Sequence, residues 1–396
     1  MRIALFAIFT SVILRNEILK YDVVIIGGGP SGCACALRLK DSGLKVALID
    51  KYEFPRDKVC GDAIPGRAIK TLNSIDPQYA AAFKKFPAKC VTKKTSLFYK
   101  NKTITFSWVL EAYTCARYEF DNFLFSLVRE YTKTDIFTST QADLVSTTED
   151  GISISIKGNN KKFETKLLIG ADGAHSVAAK QLAAQTLDRK HHVGSVRAYF
   201  TGLANMDSLT TEIYFNKRFL PSYLWVFPLP GDTANVGFGM LSSEISKQKI
   251  NIRKAIYEFI ETSPVLKQKF KDAKHIGELE GFGLPLGSNI KTISGPHFML
   301  CGDAASLIDP ATGDGIGNAM LSGKLAAEQA VRCFKENNFS SAFIKSYDNT
   351  VIKALGKELK QHYQVQRILS AFPFLFDIIF FVSRSKLLKK LIKKQL

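Results

Sequence analysis

The segment YDVVIIGGGPSG, residues 21–32, decides the fold, because it places a glycine-rich turn directly after a continuous apolar run. The run Asp22–Ile26 is typical of a buried parallel strand. Cys33–Lys40 has a helical composition, and Lys45–Ile49 is a second apolar run. This order of strand, helix and strand predicts the first unit of a doubly wound α/β fold.

The glycines of the turn follow the pattern G-x-G-x-x-G. Gly27 permits the tight turn, Gly29 lets the backbone approach a pyrophosphate, and Gly32 lets the helix pack on the strand. Free N–H groups at the helix start then face the phosphates. Asp50 follows the second strand, where a carboxylate accepts hydrogen bonds from a ribose. The pattern predicts a dinucleotide site, without distinguishing FAD from NAD, at Gly27, Gly29, Pro30, Ser31, Gly32, Asp50 and Lys51.

Two distant segments favour FAD. Gly302-Asp303 follows a buried strand at 297–301, and a glycine-rich segment at 309–318 opens a helix. Asp303 is placed to hydrogen-bond a ribityl hydroxyl, and backbone N–H groups at 313–317 are placed to meet the pyrimidine edge of a flavin. We therefore predict an FAD site to which Asp303, Gly313, Gly315, Ile316 and Gly317 contribute.

Size and composition limit the architecture and the partners. A chain of 396 residues exceeds what one hydrophobic core usually serves, so we expect two packed domains. The formal net charge of +18 is typical of a protein with an anionic partner, or of a basic soluble enzyme, and we expect no nucleic acid. Seven scattered cysteines without a C-x-x-C pair indicate a reducing compartment and no metal site.

The α/β pattern is interrupted and then resumed. Between about 195 and 240, short strand-like segments separated by turn residues predict an antiparallel sheet. We expect an α/β fold: an FAD-binding, Rossmann-like three-layer domain, an antiparallel-sheet substrate domain that interrupts it, and a C-terminal helical segment. The expected divisions are an apolar extension at 1–20, the FAD-binding domain at 21–90, 115–190 and 291–335, the substrate domain at 91–114 and 191–290, and the C-terminal segment at 336–396.

Both ends of the chain are apolar. Ile3–Leu14 is too short to cross a membrane and lacks a signal-peptide cleavage site, so we expect an extension or a short surface anchor. Ala371–Val382 is followed by Arg384–Lys394, whose leucines and lysines would lie on opposite faces of a helix. This pattern predicts an interfacial anchor, with a docked helix and a solvated basic tail as the alternative. We expect a cytoplasmic protein, peripheral on the inner face of the membrane.

Several motifs together resemble the flavoprotein superfamily of para-hydroxybenzoate hydroxylase. Gly170–Ser176 resembles the central Asp-Gly motif of that superfamily. Arg117 resembles its flavin-contacting arginine, with an ordinary helix-cap charge as the alternative. Val177–Lys180 stands where the superfamily usually carries arginines, so a hydroxylase-style NADPH contact is not expected.

Two further segments resemble the geranylgeranyl reductase family. Phe54–Asp62 resembles the segment that lies beside the flavin in that family, which implies that Cys60 and Gly61 contact the cofactor. Residues 221–228, followed by 235–239, resemble the substrate-cavity motif of the family. The aromatic residues of the first stretch alternate and therefore share one face of a strand, although ordinary sheet core would show the same pattern. The implied cavity residues are Tyr223, Trp225, Phe227, Gly237 and Gly239.

This resemblance implies an FAD-dependent reductase that hydrogenates double bonds of a prenyl, geranylgeranyl-type chain on a lipid or quinone. Hydride would pass from flavin N5 to one alkene carbon, and an acid would protonate the other. Cys60, Tyr223 and a bound water are the candidates for the acid, and Trp225 completes the expected catalytic set. The expected electron donor is NAD(P)H or a ferredoxin-like protein, since no second glycine motif follows a strand.

Two alternatives stay open. The first is a flavin-dependent monooxygenase or halogenase acting on a small aromatic substrate, because the pattern Tyr223-x-Trp225-x-Phe227-Pro228 is also similar to a halogenase motif. The second is a prenyl-binding carrier without enzymatic activity, built on a degenerate flavin fold. The intact glycines and Asp303 favour the enzyme.

Overall fold

The computed structural model describes residues 17–382. The first strand begins at Glu17, so residues 17–20 belong to the sheet and not to the extension that we expected at 1–20. Ile3–Leu14 and Arg384–Lys394, the two segments interpreted as an extension or anchor, lie outside the described residues.

Strands and helices alternate irregularly along the chain. The strands are β1 (Glu17–Ile26), β2 (Val46–Ile49), β3 (Ala63–Ile64), β4 (Cys90–Tyr99), β5 (Lys102–Thr114), β6 (Asp135–Phe137), β7 (Ala142–Thr147), β8 (Ile152–Ile156), β9 (Lys161–Gly170), β10 (His192–Thr201), β11 (Thr210–Phe215), β12 (Tyr223–Leu229), β13 (Thr233–Leu241), β14 (Lys274–Pro285), β15 (Ser294–Gly295) and β16 (Phe298–Leu300). The helices are α1 (Pro30–Arg38), α2 (Gly66–Ile75), α3 (Pro77–Lys85), α4 (Arg117–Tyr131), α5 (Val177–Leu182), α6 (Ser242–Gln248), α7 (Ile252–Thr262), α8 (Pro264–Lys269), α9 (Ile316–Lys335), α10 (Ser341–Val351), α11 (Lys357–Ala371) and α12 (Leu375–Val382). A π-helical turn, Ile352–Gly356, joins α10 to α11.

The first sheet has the order β15-β16-β9-β1-β2-β6, and its strands from β16 to β6 run parallel. Val23–Ile25 of β1 is fully buried, as expected for the centre of a parallel sheet that is covered on both faces. The hairpin β7–β8 pairs with the first half of β9. The Rossmann-like α/β fold predicted from the glycine turn is therefore confirmed.

The second sheet has the order β14-β10-β13-β12-β11-β4-β5-β3. Its pairs are antiparallel except one, since β11 runs parallel to β4 with Ile213 beside Leu97. The expected antiparallel sheet is thus mixed at one position, because the chain reaches β11 through a long connection and not through a hairpin. β3 also joins this sheet, although it lies outside the segments 91–114 and 191–290 expected to form it.

Helix α12 packs against the second sheet, whereas α10 packs against α9 and against β15 of the first sheet. Phe376 and Phe380 of α12 are 4% and 2% exposed and form a cluster with Tyr99, Ile104 and Phe106. Among the described residues no single helix is long and apolar enough to span a membrane. One pair of helical segments reaches that length and apolar character when the two are taken together. The pair is Ser341–Ala371 and Leu375–Val382, with a bend of 110° between them.

Candidate functional site

One large cavity extends along both sheets. Its volume is about 1980 Å³, and its lining includes the glycine turn after β1, the start of α9, the aromatic strand β12 and part of α11. Pockets for a single drug-sized ligand usually measure ~300–1,000 Å³. The cavity therefore has room for a dinucleotide and a second molecule.

The three glycines of the turn have different physical roles. A Cβ at Gly27, whose φ is +106°, would lie 2.3 Å from the Ala171 carbonyl oxygen. A Cβ at Gly32 would lie 1.8 Å from the Gly27 carbonyl oxygen. Gly29 differs, because the nearest atom to its Cβ position is Nη2 of Arg56, at 3.7 Å. Gly27 and Gly32 are required by the fold, whereas Gly29 leaves open space on the cavity side.

The start of α1 is suited to an anion. Its N-cap is Gly29, no side chain caps the helix, and the first turn contains no acidic residue. The free N–H groups and the helix dipole therefore point toward the cavity. Asp50 accepts hydrogen bonds from the Gly28 N–H at 2.7 Å and the Tyr52 N–H at 2.9 Å. These bonds hold the carboxylate at the cavity wall with acceptor capacity remaining for ribose hydroxyls.

The start of α9 forms the other part of this wall. Asp303 forms an ion pair with Lys58 at 3.0 Å. A Cβ at Gly315 would lie 3.4 Å from its carboxylate oxygen, so the acid and the helix start are neighbours. The N-cap of α9, Gly315, has no side chain, and Asp314 before it accepts a hydrogen bond from the Ile316 N–H at 3.2 Å. Two helix starts with glycine at the N-cap, together with the carboxylates of Asp50 and Asp303, lie on one cavity and fit the pyrophosphate, ribose, ribityl and pyrimidine groups of FAD.

Arg117 is the first residue of α4 and is almost completely buried. Its guanidinium makes two hydrogen bonds of 2.6 Å to the carboxylate of Asp121. Nη1 of Arg56 lies 2.7 Å from the same carboxylate. Two arginines thus share one buried acid, and Arg117 still lines the cavity. This excess of positive charge suits an anionic cofactor.

A buried hydrogen-bond network holds the segment Cys60–Asp62. The side-chain N–H groups of Asn235 donate to the Cys60 carbonyl and to Asp62 Oδ2, both at 2.7 Å. The indole N–H of Trp225 donates to Asn235 Oδ1 at 2.8 Å, and the Tyr199 hydroxyl donates to Asp62 at 2.9 Å. This network fixes the position of the Cys60 side chain relative to the cavity.

Burial raises the pKa of Asp62 to about 6, although hydrogen bonds from Asn235 and Tyr199 oppose the shift. A raised folded-state pKa favours the folded protein while the carboxyl is protonated. That contribution is present below the ordinary pKa near ~4 and is lost as pH rises through 6. Asp62 therefore has a free-energy cost at neutral pH, which its three donors, including the Arg117 N–H at 3.2 Å, partly offset.

The aromatic residues of β12 lie along the cavity. Tyr223, Trp225 and Phe227 all line it, and the Tyr223 hydroxyl donates to the Thr312 carbonyl at 2.5 Å. Gly237 does not line the cavity, because a Cβ there would overlap the indole of Trp225 at 2.0 Å. Gly237 instead leaves room for that ring. Gly61 lies against the same aromatic face, because a Cβ added at Gly61 would be 3.4 Å from Phe227 and from Trp225.

Asp309 and His362 form a partly buried ion pair at the cavity, with Nδ1 of His362 2.6 Å from the carboxylate. Burial opposes ionisation of Asp309, but hydrogen bonds from His362 and the Thr312 and Ala311 N–H groups lower its pKa. The hydrogen bond to Asp309 in turn raises the pKa of His362. Oxygen and nitrogen atoms of Asp309, Glu358 and His362 lie within 4.8 Å of one another.

The variant His362→Gln is expected to lose more stability at pH 6 than at pH 8. A histidine with a raised folded-state pKa stabilises fully below ~6.5, and the contribution is lost as pH rises through the folded value. A hydrogen bond to a charged group is worth ~1.5–3 kcal/mol. Thermal unfolding at the two pH values measures this, with the exposed His275→Gln as the control. Equal losses at both pH values would contradict a charged His362.

Most of the residues predicted from the sequence meet at this cavity. Three do not line it: Gly32, Gly237 and Gly317, the last because a Cβ there would meet Arg67 at 3.0 Å. The cavity walls hold Gly27, Gly29, Pro30, Ser31, Asp50, Lys51, Cys60, Gly61, Arg117, Tyr223, Trp225, Phe227, Gly239, Asp303, Gly313, Gly315 and Ile316. Sequence reasoning missed Arg56, Asp62, Tyr199, Asn235, Asp309 and His362.

Two protein-family models match this chain. Residues 20–223 match the model of the FAD binding domain, and residues 194–280 match that of the geranylgeranyl reductase catalytic domain. The digeranylgeranylglycerophospholipid reductase of Methanosarcina mazei is 30% identical over 335 residues, which cover 81% of this chain and 77% of that protein. The protein of the same name from Methanococcus vannielii is 29% identical over 334 residues, covering 83% and 81%.

Solved structures give the same fold. A geranylgeranyl bacteriochlorophyll reductase-like protein from Thermoplasma acidophilum has a TM-score of 0.77 and 26% identity, covering 89% of this chain and 88% of that one. A flavin-dependent brominase has a TM-score of 0.78 and 21% identity, covering 95% and 93%. At that identity the brominase shows the fold alone.

Proposed function

Because this chain belongs to the geranylgeranyl reductase family of FAD-dependent oxidoreductases, we propose that it hydrogenates the double bonds of a prenyl chain carried by a lipid. One observation carries the proposal: the residues that fit FAD and the aromatic strand β12 line a single cavity. Beyond β12 the cavity is walled by apolar residues of the second sheet and the C-terminal helices, among them Leu97, Ile213 and Ile379. A long apolar chain fits this compartment.

The protein has to position the alkene, exclude water and deliver a proton. The chemistry that FAD supplies when bound and reduced is transfer of a hydride to one alkene carbon. The other carbon takes a proton, so that one hydrogen molecule is added across each double bond. The aromatic face of Tyr223, Trp225 and Phe227 holds the chain, and the sheet that carries these residues shields that side of the cavity from bulk water.

We propose that the Cys60 thiol donates the proton to the second alkene carbon. Burial raises the pKa of Cys60, with Arg117 opposing the shift, so the thiol keeps its proton at neutral pH. Its segment is fixed by Asn235 and lines the cavity. Tyr223 is less suited, because its hydroxyl already donates to the Thr312 carbonyl.

The variant Cys60→Ala is expected to keep its FAD but to reduce the substrate about a hundredfold more slowly, since a positioned acid contributes ~10²–10⁴. Cys60→Ser should recover part of the rate because it keeps a donor. Stopped-flow oxidation of the reduced flavin by geranylgeraniol measures both. Cys90→Ala, whose thiol does not line the cavity, is the control. An unchanged rate in Cys60→Ala would assign the proton to Tyr223 or water.

The proposed reductant is NAD(P)H binding transiently or a ferredoxin-like protein. The support is the sequence, which has one glycine-rich dinucleotide motif. Anaerobic mixing of the holoenzyme with NADPH, NADH or reduced ferredoxin, followed by flavin absorbance, separates these donors.

We also propose that the protein works at a membrane surface. Val109 and Leu110 line the cavity and are 91% and 59% exposed. Phe374, just before α12, and Phe381, on α12, are 58% and 72% exposed. Such exposed apolar residues beside a lipid cavity are typical of an interfacial surface.

The double variant Val109→Asp, Leu110→Asp should bind vesicles of anionic phospholipid several-fold more weakly, because apolar insertion is replaced by charge repulsion. Co-sedimentation of the holoenzyme measures this. Val331→Asp, at a 40% exposed position on α9, is the control. If wild type and the double variant sediment equally, this surface does not contact the membrane.

The experiment that tests the proposed reaction is a single turnover. Holoenzyme reduced by dithionite without oxygen should be reoxidised by geranylgeraniol and not by its fully saturated analogue. Reoxidation that occurs only with oxygen and a phenol or indole would instead favour a monooxygenase or halogenase.

A further inference from the structure

Besides Lys51, which follows Asp50 at the predicted dinucleotide site, three lysines among the described residues line the cavity without a carboxylate partner. Lys70, Lys353 and Lys357 line the cavity and are exposed, and within residues 17–382 none of them forms an ion pair. Most other charged groups of the wall are paired, such as Lys58 with Asp303. Unpaired cations on a cavity wall leave the electrostatic potential there positive.

These lysines belong to one part of the cavity rim. Arg67 of α2 forms an ion pair with Glu358 of α11, which brings together the helix that carries Lys70 and the helix that begins at Lys357. Lys353, in the π-helical turn just before α11, is one helical turn from Lys357. The Arg67–Glu358 pair is neutral, so the rim keeps the three lysine charges.

The same rim is apolar on its other side. Leu110 contacts the start of α2, since a Cβ at Gly66 would lie 2.9 Å from the Leu110 Cβ. Val109, next to it, is almost fully exposed. The rim therefore combines cations with apolar side chains at the entrance to an apolar compartment. A molecule with an anionic head and a long apolar tail complements this surface.

We propose that Lys70, Lys353 and Lys357 bind the phosphate-bearing headgroup of the lipid substrate, which stays at the rim while the prenyl chain enters the cavity. This inference rests on the proposed function and adds the headgroup specificity of the site. The three lysines select an anionic over a neutral prenyl substrate and hold the chain at a defined depth.

The test compares two substrates with the same chain, geranylgeranyl phosphate and geranylgeraniol, on the holoenzyme. The triple variant K70Q/K353Q/K357Q should raise KM for the phosphate about tenfold or more, with kcat changed less than about twofold. KM for geranylgeraniol should stay unchanged. The matched control K84Q/K254Q/K360Q removes the same charge from exposed lysines that do not line the cavity. Wild-type KM for the phosphate should also rise with salt, and the variant should lose that dependence.

Each outcome has a distinct meaning. If the triple variant raises KM equally for both substrates, or no more than the control does, the headgroup site is contradicted while the reductase function stands. A rise in KM for NADPH alone would assign the lysines to the reductant. If inorganic phosphate inhibits competitively with an inhibition constant as low as the KM for geranylgeranyl phosphate, a free anion and not a lipid headgroup is the ligand. If wild type reduces neither substrate, the proposed function fails, and perturbation of the flavin spectrum by each lipid still measures the headgroup preference.

Discussion

Gly29→Ala is expected to give a folded protein that purifies with little FAD. The backbone of Gly29 has φ −75°, which alanine adopts without strain, and no protein atom lies within 3.7 Å of the added Cβ. The new methyl group instead occupies the side from which a pyrophosphate approaches the helix start. Overpacking of this kind costs ~1–3 kcal/mol, which corresponds to about 5–150-fold in Kd.

Fluorescence titration of the apoprotein with FAD measures the loss of affinity, and circular dichroism checks the fold. Gly281→Ala is the matched control, because its Cβ would have a similar clearance of 3.6 Å and Gly281 does not line the cavity. Gly32→Ala should behave differently from both, since its Cβ would clash with the Gly27 carbonyl and destabilise the turn itself. If Gly29→Ala binds FAD as tightly as wild type does, the pyrophosphate does not bind at this helix start.

Asn235→Asp is expected to destabilise the protein strongly at pH 8 and much less at pH 5. The substitution places a carboxylate where an amide N–H now donates to Asp62 at 2.7 Å. Two buried carboxylates at that distance cannot both ionise, so one keeps its proton and its pKa rises above the value of about 6 that Asp62 has alone. A buried charge without a partner costs ~3–5 kcal/mol. Since the raised pKa belongs to the folded state, stability is lost as pH rises through it.

Chemical denaturation at pH 5 and pH 8 measures this difference. Asn349→Asp, an exposed substitution on α10, should show no such pH dependence. Because Asn235 also holds the Cys60 carbonyl, the flavin absorbance spectrum of the variant should change in parallel at pH 8. A stability loss that is the same at both pH values would mean that Asp62 and residue 235 do not share the site as described.

The elements that the sequence predicted well are those with local signals. The turn at 27–32 could be predicted because its glycines are explained locally. Gly32 is required by the Gly27 carbonyl, and Gly27 by the end of the adjacent strand. Asp303 and the start of α9 are similarly read from a strand followed by glycines. Family resemblance then added the position of Cys60, which no periodicity would single out.

The residues that were missed act through partners far away in the chain. Asp62 ends the segment that resembles the flavin-side segment of the family, but its role comes from Tyr199 and Asn235, which reach it from the second sheet. The Asp309–His362 pair joins a loop to a C-terminal helix that the sequence predicts only as helical. Gly237 was misplaced because a glycine on a strand looks the same whether it faces a cavity or makes room for an indole.

The most direct test of the central claim is the mass of the product. Purified holoenzyme, reduced without oxygen and given a digeranylgeranyl glycerophospholipid, should release a lipid that is heavier by one hydrogen molecule for each double bond reduced. In D₂O two deuteriums per double bond are expected, because the N5 hydrogen of a flavin reduced by dithionite and the proton of the protonating group both come from the solvent. A product that contains oxygen or halogen, or an unchanged lipid with flavin that stays reduced, would contradict the account.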